Sequence, residues 1–303
     1  MQAQATAVQD RSTTVTTGSV TSRDGTTIGY RRLGSGPGVV LLHGAMESGQ
    51  SHLQLAEKLA AGFTVYLSDR RGRGLSGPFG SDYSVAREVE DLNAVLRETG
   101  AGRVLGVSSG ALITLKAALT LPALEKVVIF EPPLLVDGPA IAASLARLDA
   151  ALAQGNMASA LVTGMLAAQM GPAVFNYIPR RLLEPLTNAA MAAEDKKAAG
   201  DSVTMRTLAP TLHYDFQLIA EMEGTLESFK AITAKVLLLG GSKSPAYLRA
   251  SVDGLARMLP NAARVEFPGL GHGATGNTDR GGKPELVAKA LGEFFGWRES
   301  IAA

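Results

Sequence analysis

A five-residue turn with glycine at both ends constrains this chain more than any other stretch. Val104-Leu105-Gly106-Val107 reads as a buried strand that runs through Ser108-Ser109-Gly110 directly into a helical pattern, with Ala111, Leu112, Leu115, Ala118 and Leu119 at helical spacing. Reversing from strand to helix in so few residues brings two backbones together, so positions 106 and 110 must lack side chains. Ser108 is then forced into a strained conformation that presents its hydroxyl at the end of the strand. A G-x-S-x-G turn between strand and helix is where a nucleophilic serine sits; a plain Ser-Gly turn is the alternative.

The remaining patterns place this turn in an α/β chain. Ser19–Arg23 and Thr26–Arg32 flank Asp24-Gly25, a hairpin signal. Gly38–Leu42, Phe63–Leu67, Lys126–Phe130 and Lys235–Leu239 are continuous apolar runs, as expected of strands buried on both faces. Ala263–Phe267 is read as a further strand. Helices are predicted over 84–98, 245–259 and 284–295, the first amphipathic with Val85, Val89, Leu92 and Leu96 on one face. This rhythm predicts a mostly parallel central sheet flanked by helices. It is interrupted over 134–230, which is helical text broken at Gly155, Gly171-Pro172, Pro179, Pro185 and Pro210. The expected organisation is a disordered tail over 1–18, a core formed by 19–133 and 231–303, and a helical cap, or lid, over 134–230.

Composition narrows the chemistry. A net charge of +1 gives no footprint for a nucleic acid or a membrane surface, and 46% apolar residues suit a globular protein. The cluster Arg70-Arg71-Gly72-Arg73 is expected to be a solvated loop or a carbonyl and carboxylate tether. Cysteine is absent, which excludes disulfides, thiolate metal sites and a cysteine nucleophile. No metal site and no cofactor are expected, and residues 1–18 carry neither the basic start nor the apolar centre of a signal peptide. A cytoplasmic location follows as the default expectation, with a monomer or homodimer left open.

A serine hydroxyl needs a base, and the chain offers four histidines. His43 belongs to the turn after a strand, His52 to a helix start and His213 to the insertion. His272, in Pro268-Gly269-Leu270-Gly271-His272-Gly273, follows the last strand at the sheet edge where ligands bind. Two backbone N–H groups are expected to face a developing oxyanion: that of Ser109, and one from His43-Gly44-Ala45-Met46. In that loop Ala45 is the first choice and Gly44 the second.

Taken in order, His43-Gly44, Asp69-Arg70-x-Gly-x-Gly, Gly106-x-Ser108-x-Gly110 and Gly271-His272 resemble the α/β-hydrolase superfamily over roughly 20–133 and 235–297. The resemblance implies that fold, and it implies Ser108 and His272 as nucleophile and base of an ester-cleaving serine hydrolase. It also implies an acid a few residues beyond Val236–Leu239. The matching stretch is Gly240-Gly241-Ser242-Lys243-Ser244-Pro245, which contains no carboxylate. Glu131, at the end of the strand after the elbow helix and fixed by Pro132-Pro133, is the candidate replacement. A strand-end glutamate paired with an arginine, or capping the first insertion helix, is the alternative. Asp137 and Asp279 are further candidates, while Asp253 lies too far along a helix. A Ser–Glu–His set with the glutamate at this strand end resembles the lactonases that open the macrolactone zearalenone, which directs the substrate expectation towards hydrophobic esters and lactones.

In the insertion, Met165, Tyr177 and Tyr214, together with Met46 from the loop after the third strand, are candidate pocket residues; most of the other large apolar residues are expected to be core. His213–Phe216 is expected to be either a polar–aromatic rim or a structural hydrogen-bond cluster. Two other functions fit the same elbow, namely a single-turnover ligand receptor and a lyase or perhydrolase. Epoxide hydrolases and dehalogenases of this superfamily use an aspartate nucleophile, so Ser108 argues against both.

Overall fold

A computed structural model describes residues 14–135, 138–171, 173–198, 200 and 203–297. Its apolar runs form one eight-stranded sheet: β1 (Thr16–Thr21), β2 (Thr27–Leu33), β3 (Gly38–Leu42), β4 (Thr64–Ser68), β5 (Arg103–Val107), β6 (Lys126–Phe130), β7 (Lys235–Gly241) and β8 (Ala263–Phe267). Spatial order is β1-β2-β4-β3-β5-β6-β7-β8. β2 pairs antiparallel with both β1 and β4, and all other pairs are parallel.

Alternation along the central strands feeds two apolar layers. Val40 and Leu42 face a core shared with α2 (Val85–Thr99) and α3 (Ser109–Thr120), while Val39 and Leu41 face α1 (Leu53–Leu59). Ser84 caps α2 by accepting from the Arg87 N–H, and Gly100 ends it at φ 65°, where a side chain is disfavoured. Val85, Val89, Leu92 and Leu96 form its buried face, as the spacing predicts.

One boundary is corrected at the start of the chain. Residues 1–13 of the expected tail lie outside the described residues, but Thr16, Thr17 and Gly18 belong to β1, paired with Arg32, Arg31 and Tyr30. The β-branched Val15-Thr16-Thr17 suits a strand, and β2 supplies the partner that makes it one.

Among the described residues, the chain between β6 and β7 contains helices and no strand: α4 (Gly138–Ala153), α5 (Met157–Ala167), α6 (Arg180–Asp195), α7 (Met205–Leu208) and α8 (Leu212–Glu221), with short 3-10 turns. Pro185 does not break this text as expected. It lies inside α6, where Leu183 and Met191 are buried; their packing holds the helix through the missing hydrogen bond. Leu148, Leu161, Met191, Leu212 and Phe216 form a separate apolar cluster, against which Ala45 and Met46 pack. The insertion is thereby seated on the loop after β3. The fold closes with α9 (Ala246–Met258) and α10 (Pro284–Phe295). Among the described residues no helix is long and apolar enough to cross a membrane.

β3 lies between β4 and β5, so connections from β3 and β5 diverge from neighbouring strand ends. This is the switch point at which an open α/β sheet leaves a crevice. The loops after β3, β5, β6 and β8 all emerge at that carboxyl edge.

Candidate active site

Ser108 sits at the β5–α3 turn with φ 53° and ψ −118°, backbone angles that cost a non-glycine residue about 1–3 kcal/mol. Its N–H is held by the Phe130 carbonyl at 2.9 Å, and its own carbonyl accepts from the Ala111 N–H at 2.9 Å. The flanking glycines are required sterically. A Cβ on Gly106 would stand 2.3 Å from Thr114 Oγ1 and 2.6 Å from the Gly110 carbonyl oxygen. One on Gly110 would stand 2.5 Å from the Leu42 carbonyl oxygen. Val107 and Ser109 are buried, whereas Ser108 is only half-buried, so the elbow leaves this serine accessible.

Glu131 follows β6 and is also held at positive φ, 46°. It is fully buried, and each carboxylate oxygen has a partner. Oε2 accepts from His272 Nδ1 at 2.7 Å, and Oε1 accepts from the Gly241 N–H at 2.6 Å. Gly240 leaves room for this carboxylate, since a Cβ there would lie 3.2 Å from Oε1. His272 opens the 3-10 turn His272–Thr275 beyond β8, and its ring packs 5.9 Å from that of Phe130. Glu131 therefore pairs with the histidine, and no arginine pairs with it among the described residues. Asp253 pairs with Arg264 at 2.7 Å, and Asp137 lies outside the described residues. Ser244 is buried and its hydroxyl has no partner among them. Ser108 Oγ and His272 make no hydrogen bond here. Such contacts are commonly long without substrate and tighten in the complex.

The loop after β3 corrects one expectation. The Gly44 N–H donates to Glu47 Oε2 at 2.8 Å and is not free for an oxyanion. The Ala45 and Ser109 N–H groups donate to no described residue. Gly44 earns its place by close approach instead, because a Cβ there would stand 2.9 Å from Ser108 Cβ. His43 is a prop, as expected. Its Nδ1–H donates to the Gly44 carbonyl at 2.9 Å and its Nε2 accepts from the Arg70 N–H at 3.2 Å. Burial, then the charges of Arg73 and Arg70, push its pKa well down and keep it neutral.

The arginine cluster is a carboxylate tether and not a solvated loop. Arg70, Arg71 and Arg73 are all buried. Arg71 pairs with Asp91 at 2.6 Å and Asp24 at 2.9 Å. Arg70 pairs with Glu88 at 2.7 Å and Asp215 at 2.8 Å, and Arg73 pairs with Asp215 as well. Asp215, on α8, also accepts from Ser109 Oγ at 2.9 Å. Burial would raise its pKa, but Arg73 and Arg70 outweigh that and hold the carboxyl below its ordinary range. The His213–Phe216 stretch is accordingly a structural cluster: His213 pairs with Asp149 at 2.7 Å, and the Tyr214 ring stacks on Phe79 at 3.5 Å. Among the candidate pocket residues, Met46 and Met165 are half-buried, and Met46 packs towards the insertion core. Tyr177 is 86% exposed and faces solvent, so it lines no pocket here. Periodicity over a short 3-10 turn gave no sign of its direction.

Sequence reasoning missed Glu47 and the burial of His52. The signal present was an acidic residue three positions after Gly44, within reach of a loop amide, and nothing local distinguished it from a solvated glutamate.

The model of the alpha/beta hydrolase family matches residues 39–290. A 2-(acetamidomethylene)succinate hydrolase of Mesorhizobium japonicum is 24% identical over 277 residues, covering 89% of this chain and 91% of that protein. A pimeloyl-[acyl-carrier protein] methyl ester esterase of Stenotrophomonas maltophilia is 28% identical over 218 residues, covering 69% of this chain and 83% of that one. The crystal structure of an alpha/beta hydrolase from Sphaerobacter thermophilus superposes with a TM-score of 0.73 at 35% identity, over 92% of this chain and 100% of the other.

Proposed function

The chain belongs to the alpha/beta hydrolase family, and from that premise we propose that it is a serine hydrolase cleaving a carboxylic ester or lactone of a hydrophobic small molecule through an acyl-serine. One observation carries the reading: a fully buried glutamate, pinned by the Gly241 N–H, accepts at 2.7 Å from the Nδ1 of the histidine that follows the last strand. A carboxylate so placed fixes the tautomer with its proton on Nδ1, leaves Nε2 free to accept, and stabilises the cation formed when it does.

The steps follow from that arrangement. Ser108 Oγ attacks the substrate carbonyl carbon while its proton passes to His272 Nε2. The carbonyl oxygen becomes an oxyanion facing the Ala45 and Ser109 N–H groups; one such donor contributes about 3–4 kcal/mol to the transition state. The tetrahedral centre collapses, the C–O bond to the leaving alkoxide breaks, and His272 gives that oxygen its proton. For a lactone, the leaving alcohol stays attached to the acyl group. Water then gives a proton to His272 as it adds to the acyl carbon, and collapse returns that proton to Ser108 and releases the carboxylic acid.

The apolar cluster behind Ala45 and Met46 supports a hydrophobic acyl group. The glutamate at this strand end supports lactones among such substrates, and the insertion would act as their lid. The test is to treat the protein with a fluorophosphonate, map the adduct by mass spectrometry, and screen ester and lactone panels. Labelling at Ser108 with turnover of apolar substrates is expected. Turnover that persists in Ser108→Ala would refute the proposal.

A further inference from the structure

A third carboxylate–imidazole pair lies behind the loop that faces Ser108. Glu47 Oε2 accepts the Gly44 N–H at 2.8 Å and also accepts from His52 Nε2 at 3.1 Å. The other ring nitrogen, His52 Nδ1, lies 2.9 Å from the Thr275 carbonyl oxygen, at the end of the same 3-10 turn that His272 begins. Both partners are acceptors only, a carboxylate oxygen and a carbonyl oxygen, and a neutral imidazole has one N–H to offer. Satisfying both therefore takes a proton on each nitrogen, which makes His52 an imidazolium inside the protein, where it is completely buried.

The charges around this group are consistent with that state. Glu47 is its counter-ion, and the farther Arg280 guanidinium stands 3.8 Å from Glu47 Oε1. His43, the other ring near Glu47, is neutral. Burial alone would push the His52 pKa down, but the charge and hydrogen bond of Glu47 outweigh it and the net direction is up. Further hydrogen bonds join the same two segments. Asn277 donates its N–H to the Ser51 carbonyl at 3.0 Å, accepts the Gln54 N–H at 3.0 Å, and donates from its amide to the Gln50 carbonyl at 2.9 Å.

Gly44 stands between this pair and the nucleophile. A Cβ on it would be 2.9 Å from Ser108 Cβ and 3.2 Å from Glu47 Oε2. Moving the carboxylate therefore moves Gly44, and with it the next amide, that of Ala45. We propose that Glu47 and His52 are positioning residues: a carboxylate–imidazolium pair that holds the Ala45 N–H where the oxyanion forms and sets the spacing between that loop and the turn carrying His272. The proposal rests on the serine-hydrolase reading above and deepens it.

The test compares wild type with Glu47→Ala, Glu47→Gln, His52→Ala and the Glu47→Ala/His52→Ala double variant on p-nitrophenyl butyrate, with Ser108→Ala as control. For Glu47→Ala, kcat is expected to fall by about 10- to 100-fold, the scale of a misplaced catalytic group, while KM changes little. Glu47→Gln keeps an oxygen for the Gly44 N–H and should recover most of that loss. The double variant should be no worse than the poorer single one, as for two members of a single unit. Melting temperatures separate this from general destabilisation, and ring-nitrogen NMR of the wild type at pH 6 should show His52 protonated on both nitrogens. Unchanged kcat in Glu47→Ala, additive losses in the double variant, or a neutral His52 would each overturn the clamp. A wild type inert to every ester, or an active Ser108→Ala control, would overturn the hydrolase reading itself and the clamp with it.

Discussion

Replacing Glu131 by glutamine tests the acid with almost no change of shape, and the structure indicates which way the new amide must turn. The carboxylate meets two donors, the Gly241 N–H at 2.6 Å and His272 Nδ1 at 2.7 Å. The Gly241 amide cannot change its protonation, so it takes the single oxygen of the glutamine. The NH₂ group is then left facing Nδ1, where it demands an acceptor. His272 must move its proton to Nε2, the nitrogen that should receive the proton of Ser108. A base held in the wrong tautomer costs up to about 10⁴-fold in kcat, or about 5.4 kcal/mol of transition-state stabilisation. Steady-state hydrolysis of a p-nitrophenyl ester reads the effect, with KM near the wild-type value and a melting temperature close to it. Glu131→Asp should also fail, because a carboxylate withdrawn by about 1.5 Å, one C–C bond, cannot keep both contacts. Ser244→Ala, at the place where the family usually carries its acid, should leave kcat unchanged. Glu131→Gln turnover within about tenfold of wild type would refute the tautomer argument.

Ser108→Ala should lower kcat by about 10⁶-fold, measured by burst and steady-state release of p-nitrophenol. Gly110→Ala forces a Cβ to within 2.5 Å of a carbonyl oxygen and is expected to cost about 1–3 kcal/mol or more in urea unfolding. Asp215→Ala strands the Arg73 guanidinium, while Arg70 keeps Glu88, and a loss of about 3–5 kcal/mol in the same assay is expected. The Glu47–His52 pair predicts a pH signature. A histidine pKa raised above its ordinary 6.5 contributes fully below that value and loses its contribution as pH climbs through the folded pKa. A glutamate held below its ordinary 4.5 contributes fully above that value and loses its contribution as pH falls. The difference in melting temperature between wild type and His52→Gln should be widest between those two values and should narrow in both directions.

The elements most legible in the sequence are those whose reasons are local. Continuous apolar runs became β3 to β7 because a doubly covered strand requires them. The elbow was readable because only glycine tolerates the contacts made at positions 106 and 110. Glu131 could be placed because a strand end followed by two prolines has a predictable position in a parallel sheet. What could not be read depends on partners remote in the chain. His52 is hydrogen-bonded to a carbonyl 223 residues away, and Asp215 meets Arg70 across 145 residues. Gly44, the second choice for an oxyanion donor, is excluded because a side chain three positions on occupies its amide, and such side-chain-to-backbone bonds leave no periodic trace. Tyr177 was misplaced because aromatic character alone does not tell which side of a short turn faces out.

Asp215 bolts α8 to the elbow through Ser109 and through the arginines of the loop after β4. Swinging that helix outward would part a carboxylate from two guanidinium groups and from Ser109, and of the two only Arg70 would keep a carboxylate, that of Glu88, among the described residues. α8 therefore behaves as a fixed door-jamb. Under the lid proposal, movement over the nucleophile falls to α5 and α6, which share an apolar cluster with α8, since α4 is also tied to α8 by the Asp149–His213 pair. On that proposal, swapping those two helices between relatives is expected to change which molecules are admitted and to leave the reacting groups where they stand.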